Sequence, residues 1–267
     1  MTSQLRTVLI IGATGSIGRH VVAQALGKGL EVRALTRNPA KATRQLPAGV
    51  RIFFGDVTRP ETLHEAVQGV DALVFTHGSD GMGKTGAREV DYGAVKNTLS
   101  VLAHPVRIAL MTAIGVTERL GSYNQRTEAH DWKRRAERLV RASWLPYTIV
   151  RPGWFDYNDR STLRMCFLQG DTRHSGTPAD GVISRRQIAQ VLLASLENES
   201  AINKTFELVA EQGAAQTDLT PLFSALVADG KTKNDGVFDC ENMPIAQEPQ
   251  YVVDDLTSVT HWVATAG

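Results

Sequence analysis

The chain has 267 residues, 42% of them apolar, enough for one large α/β domain whose core needs no disulfide or metal staple. A formal net charge of +1 gives neither the basic field that holds a nucleic-acid backbone nor the polybasic run that holds an anionic membrane. Cys166 and Cys240 lie far apart with no CxxC, the seven histidines show no ligand spacing, and no stretch nears the roughly 20 apolar residues of a membrane span. No metal, nucleic acid or membrane is therefore expected, and a cytoplasmic protein with two free thiols is.

The first half alternates. Residues 7–13 (TVLIIGA) form a short apolar run, read as a buried parallel strand. Residues 16–29 follow with Ile17, Val21 and Ala25 at helical spacing and Gly29 as a C-terminal stop. A strand is predicted over 31–37, and a helix over 38–46, capped by Asn38 with Pro39 in its first turn. A third strand covers 50–56. The helix over 58–69 opens with Thr58 and Glu61 at capping-box spacing. A fourth strand, 71–78 (DALVFTHG), runs into the glycine-rich loop 78–86 and a long helix over 87–103. Residues 106–115 make a fifth strand, 127–143 a charged, one-sided helix, and 145–155 a sixth strand.

Beyond Phe155 the alternation degrades through 156–180. It returns with a helix over 181–198, where Ser184 and Gln187 form a second capping box, a strand over 204–210 and a short helix over 218–226; residues 228–250 read as loop. Six strands alternating with helices imply a Rossmann-type, doubly wound parallel sheet, because parallel strands need crossovers. The expected organisation is a nucleotide-binding core over 1–155, with residues 156–267 packing on it as a small substrate-side subdomain of the same unit.

The chemistry starts in GATGSIG. Gly12, Gly15 and Gly18 sit between a strand and a helix, where unpaired N–H groups and the helix dipole favour a phosphate. Gly12 permits the tight turn, Gly15 the approach of a diphosphate, and Gly18 close packing of helix on strand. An NAD site usually carries a carboxylate about 20 residues further on, for the ribose 2′-hydroxyl. Here that place reads LTRNPAK, with Arg37 and Lys41 and no acid. A guanidinium pairs with a 2′-phosphate, so NADP(H) is the expected cofactor. Asp56, ending the third strand, is placed to accept from an adenine amino group, with Val57 against the ring; an N-cap role for Asp56 is compatible. Thr76, His77 and Gly78 end the fourth strand, where backbone passes close to the cofactor.

GATGSIG, GDVT, the strand-end TAIG, Lys133 in a helix, RPGWF and the later ISRRQIAQVLLASL, in this order and spacing, resemble the atypical short-chain dehydrogenase/reductases. Within them the likeness is to the NAD(P)H-binding, NmrA-like and flavin-reductase-like branch, and it is strongest over 7–155. The resemblance implies a phosphate loop of Gly12, Thr14, Gly15, Ser16, Ile17 and Gly18. It further implies Arg37 on the 2′-phosphate, Asp56 and Val57 on adenine, and Thr76, His77 and Gly78 along the ribose. Lys133 would then hold the nicotinamide ribose, with Pro152 and Gly153 beside the carboxamide.

The departure lies in the proton donor. The family's tyrosine-dependent reductases carry Tyr-x-x-x-Lys and an upstream serine; the lysine lowers the phenol's pKa from one helical turn away. Four residues before Lys133 this chain has Ala129, and the serine position reads Thr112–Ala113. His130, three residues before Lys133, is the candidate replacement acid; Tyr123 and Tyr92 are further candidates. Lys133, Thr112 and His130 are thus the candidate catalytic residues. Two functions follow: an NADPH-dependent oxidoreductase acting on a small conjugated, quinone- or enone-like acceptor, or a non-catalytic NADP(H)-binding redox sensor of the NmrA type. Helices such as 87–103 and 127–143 pack into dimers in relatives, which makes a homodimer an expectation.

Overall fold

The computed structural model describes residues 5–79, 81–230 and 234–264. Its strands are β1 (Thr7–Ile11), β2 (Glu31–Thr36), β3 (Arg51–Phe54), β4 (Ala72–Phe75), β5 (Arg107–Met111), β6 (Tyr147–Pro152), β7 (Trp154–Phe155), β8 (Arg164–Leu168), β9 (Val182–Ile183) and β10 (Lys204–Glu211). The sheet order is β3-β2-β1-β4-β5-β6-β10-β9-β7, with β8 also on β10. From β3 to β10 every pairing is parallel; Val8 pairs with Val32 on one side and with Ala72 on the other. The order reverses at β1, so the crevice beyond the carboxyl ends of β1 and β4 is the topological switch point. Antiparallel β8 and β9 extend the same sheet past residue 155.

The helices are α1 (Gly18–Gly27), α2 (Pro39–Gln45), α3 (His64–Val67), α4 (Gly83–Gly86), α5 (Gly93–Ser100), α6 (Ser122–Thr127), α7 (Ala129–Ala142), α8 (Arg185–Glu197), α9 (Thr220–Ala225) and α10 (Gln250–Ala264). A π-helical turn, Ala87–Tyr92, joins α4 to α5. Alternate residues of β1 feed two cores. Val8 and Ile10 pack with Val21, Val22, Ile188 and Leu192 of α1 and α8, while Leu9 and Ile11 pack with Leu99, Leu139 and Val259 of α5, α7 and α10. Full burial on both faces is why β1 reads as an unbroken apolar run.

Local signals decide most boundaries. Asn38 accepts from the Lys41 N–H at 2.9 Å, and Ser184 and Gln187 form a reciprocal capping box. The Thr58–Glu61 box does not form. The Thr58 hydroxyl and N–H both donate to Asp56, and Pro60 opens a short 3₁₀ turn, Pro60–Thr62, ahead of the single turn α3. The helix expected over 87–103 starts earlier, at Gly83, and ends at Ser100.

Two further corrections concern the chain beyond residue 155. Strand β8 lies inside the stretch where alternation degrades, and α10 follows residues read as loop. Helix α10 packs across α5 and α7: Tyr92 donates to Asp255 at 2.8 Å, Lys96 pairs with Asp255 at 2.9 Å, and Tyr251 stacks on Trp132. Part of the surface of α5 and α7 is therefore covered by α10 of the same chain.

Helix α7 is charged but not solvated. Arg134, Arg138 and Arg151 are among the largest fully buried side chains. Arg138 binds Asp235 and Glu248, Arg134 binds Asp235, Arg135 binds Glu248 and Arg141 binds Glu137 and Asp229. Segment 234–248 is thereby strapped along α7 by carboxylates and by backbone carbonyls of Cys240 and Met243.

Candidate active site

The glycine loop is shaped by contact. Gly12 has φ +92°, and a Cβ there would lie 2.6 Å from the His77 backbone nitrogen; a Cβ on Gly18 would lie 2.1 Å from the Gly12 carbonyl oxygen. Glycine at both places lets the β1 turn, the end of β4 and α1 converge. The N–H groups of Thr14, Ser16 and Ile17 have no protein acceptor among the described residues, and they open the first turn of α1. Unpaired N–H groups before a helix start are of the kind that fits a phosphate.

Arg37 stands exposed just past the end of β2, with no ion pair among the described residues. Asp56 follows β3 and is half-buried. Burial acts to raise its pKa, but the Thr58 N–H and hydroxyl and the nearby Arg37 outweigh it and hold the carboxyl below its ordinary value. One of its oxygens takes both Thr58 bonds. Val57 is tied to α5 by its carbonyl, which accepts from Asn97 at 2.7 Å.

Thr76 is buried and bonds to the Ile11 carbonyl at the end of β1. His77 donates from Nε2 to the Asp91 carbonyl at 3.2 Å, which leaves Nδ1 as a buried acceptor without a partner among the described residues. Burial pushes the His77 pKa down and keeps the ring neutral. An orphaned acceptor at the crevice, beside bare loop N–H groups, fits a nucleotide whose ribose hydroxyls donate.

Lys133 is brought to the same place by α7. Its ammonium pairs at 2.9 Å with Asp91, whose side chain is only 2% exposed. Asp91 lies in the π turn, and its other oxygen accepts from the Ser79 hydroxyl at 2.5 Å. Ser79, Asp91 and Lys133 therefore make one connected chain at the end of β4. Asp91 and Ser79 were not singled out in the sequence; the signal was an acid inside EVDYGAVKN, flanked by the apolar positions of a buried helix. Such π turns cluster at functional sites.

The other candidate acids are engaged elsewhere. Thr112 is buried and donates to Glu137 at 2.7 Å, inside the arginine network. His130 lies beside Gly115 and Tyr123, and burial holds its pKa below the ordinary histidine value. Its Nδ1 lies 3.4 Å from the Glu118 carbonyl. Ala129 is buried at the tyrosine position. Tyr123 is exposed, and Tyr92 is core. Pro152 and Gly153 are buried at the end of β6, fixed by bonds from Ile114 N–H to the Pro152 carbonyl and from Gly153 N–H to the Leu208 carbonyl.

A model of the family described as NAD(P)H-binding matches residues 12–199. The chain belongs to that family. Sanguinarine reductase of Eschscholzia californica is 29% identical over 84% of this chain and 97% of its own length. The photosystem II assembly factor Ycf39 of Trieres chinensis is 28% identical over 85% of this chain and 71% of its own. A Rossmann-fold NAD(P)-binding family protein from Shigella flexneri, 24% identical, superposes with a TM-score of 0.59 over 80% of this chain and 98% of its own. The matched stretch runs from the glycine loop through α8, so it takes in every site residue named above.

Behind the family's cradle, Asp171 holds the loop after β5, accepting from Gly115 N–H at 2.6 Å and Thr117 N–H at 2.7 Å. Glu207 in turn accepts from the Asp171 N–H and from Arg151, with Asp239 on the far side of that guanidinium. Burial, helped by the Asp171 and Asp239 charges and opposed by Arg151, pushes Glu207 up to about 7. A raised acid binds its proton in the folded state after the unfolded chain has released it. Its contribution is thus favourable at low pH and is lost as pH rises through about 7. Glu207→Gln is expected to be less stable than the parent at pH 5 and to regain about 1–3 kcal/mol on it by pH 8. Denaturant melts at both values check this, and an unchanged gap would refute it.

Proposed function

We propose that the protein is an NADPH-dependent oxidoreductase of the atypical short-chain dehydrogenase/reductase type, acting on a small, flat, conjugated acceptor such as a quinone or enone. The observation that carries the reading is the Lys133–Asp91 pair. A buried carboxylate holding an ammonium at the crevice costs desolvation that nucleotide storage does not require. A reduced nicotinamide bound there supplies the hydride. Loop N–H groups hold the diphosphate, Arg37 takes the 2′-phosphate, and Asp56 and the His77 Nδ1 accept from the adenosine and ribose sides. Lys133 is the favoured proton source, because Ala129 has no hydroxyl, Thr112 is committed to Glu137 and burial holds the His130 pKa below its ordinary value. An acceptor that spreads negative charge over a conjugated system needs least from a dedicated acid, and this is the argument for a quinone or enone over an isolated ketone. That one relative is named a reductase agrees with this reading.

The test is loss of NADPH absorbance with a panel of quinones, enones and aliphatic ketones. Turnover of a conjugated acceptor and none of the ketones is expected. Tight NADPH binding without turnover on any acceptor would favour the sensor reading, to which the missing tyrosine and the committed Thr112 hydroxyl point. Cofactor choice has its own check. Arg37→Ala is expected to weaken NADPH by about 10- to 100-fold and leave NADH within about twofold, since one charge-assisted contact to the 2′-phosphate is lost. Equal weakening of both nucleotides would remove Arg37 from the 2′-phosphate.

A further inference from the structure

Arg185 is the first residue of α8, in the C-terminal half of the chain, yet its side chain lies on the glycine loop. Its Nε donates to the Ser16 hydroxyl at 3.1 Å. Its Nη1 pairs with Asp156, whose other oxygen accepts the Arg185 backbone N–H at 3.0 Å. The guanidinium stands 5.3 Å over the Phe155 ring, and its Nη2 has no acceptor among the described residues. Asp156 adopts a left-handed φ of +58°, which an aspartate reaches at low cost. The Ser184–Gln187 capping box fixes the start of α8, so the arginine is aimed from a rigid base.

We infer that Arg185 is a clamp for the diphosphate of the bound nucleotide, closing over the glycine loop from the opposite half of the chain. The clamp rests on the nucleotide reading above. Ser16 lies inside the run whose N–H groups are bare, so the guanidinium stands one hydrogen bond from the anion's place. Asp156 on its own would repel a diphosphate there. Paired with Arg185 through one oxygen, and bonded to its backbone N–H through the other, it is neutralised. Nη2 is the donor left over, and a diphosphate oxygen is the acceptor that satisfies it with charge assistance. The same contact ties Trp154–Asp156, at the substrate side, to occupancy of the loop.

Equilibrium binding of NADPH, NADH, ADP-ribose and 2′-AMP to the full chain, followed by intrinsic fluorescence, tests this. Arg185→Ala is expected to weaken NADPH, NADH and ADP-ribose alike by about 10- to 100-fold and to leave 2′-AMP unchanged. Arg185→Lys keeps the charge without the fork and recovers part of the loss. Asp156→Asn keeps the guanidinium and binds the diphosphates at least as well as the parent. The clamp is overturned if Arg185→Ala binds ADP-ribose within twofold of the parent, if the loss is confined to NADPH, or if Asp156→Asn loses as much as Arg185→Ala. A parent protein that binds none of the four fails the nucleotide reading itself, and the clamp with it.

Discussion

Arg151→Met is expected to lower the unfolding free energy by about 3–5 kcal/mol, the scale for removing one partner from a buried ionic cluster. Arg151 is wholly buried at the end of β6. It binds Glu137 through Nε and Nη2 at 3.0 and 2.7 Å, Asp239 through Nη1 and Nη2 at 2.7 Å each, and Glu207 at 3.3 Å. Burial acts to raise the pKa of Glu137 and Asp239, and the guanidinium outweighs it and holds both carboxyls below their ordinary range. Methionine fills most of the volume but leaves these acids facing one another in a medium that stabilises charge poorly. Arg141 still reaches Glu137 at 3.2 Å, so the cluster is weakened rather than abolished. Arg164→Ala is the control. Its pair with Glu211 is about half exposed on both sides, and an exposed pair contributes roughly 0–1 kcal/mol. Urea melts at pH 7 compare the two. A loss below about 1 kcal/mol for Arg151→Met would mean that water reaches the acids and that the cluster is not a dry one. Because both acids are stabilised as anions, their contribution is present above the ordinary carboxylate range and is lost as pH falls below it. The parent should therefore acid-denature more steeply than the variant.

What could be read from the sequence divides along physical lines. The glycine turn between β1 and α1 was legible because it is local: three glycines, a strand before and a helix after determine it. The Ser184 and Asn38 caps were legible for the same reason. The buried arginines were not. KRRAERLVR reads as a solvated face because arginine is almost never fully buried unless paired. The partners, Asp235, Asp239 and Glu248, lie about a hundred residues on, in a stretch with no periodicity. Thr58 shows how a correct local pattern loses to a competitor: Asp56 captured the hydroxyl that the capping box needed. Helix α10 was hidden because its apolar positions follow a loop-like run without a clear start signal. The Lys133–Asp91 pair lies between these cases. Lysine sits at a recognisable position, but its acid is on another helix, and only the packing of the π turn against α7 joins them.

Lys133→Met is expected to lower kcat by about 10²-fold with a conjugated acceptor, the low end of the range for losing a positioned proton donor because such an acceptor leans least on an acid, while NADPH binding weakens by less than about tenfold. Lys133→Arg separates two roles of the ammonium. Arginine keeps the positive charge but does not release its proton in the working pH range. If Lys133 only steadies developing negative charge, arginine restores much of the rate. If it delivers the proton, arginine remains as slow as methionine, and that second result is expected here. Asp91→Asn leaves the lysine in place without its carboxylate. The ammonium then loses its 2.9 Å partner and its aim, and Ser79 loses the acceptor that fixes its hydroxyl. Positioning errors of this kind fall on kcat more than on KM, so a kcat drop of about 10- to 100-fold with KM nearly unchanged is expected. Asp91→Asn that raises KM and spares kcat would instead make Asp91 a part of nucleotide binding. Full activity in Lys133→Met would remove Lys133 from the chemistry and leave the acceptor to draw its proton from water.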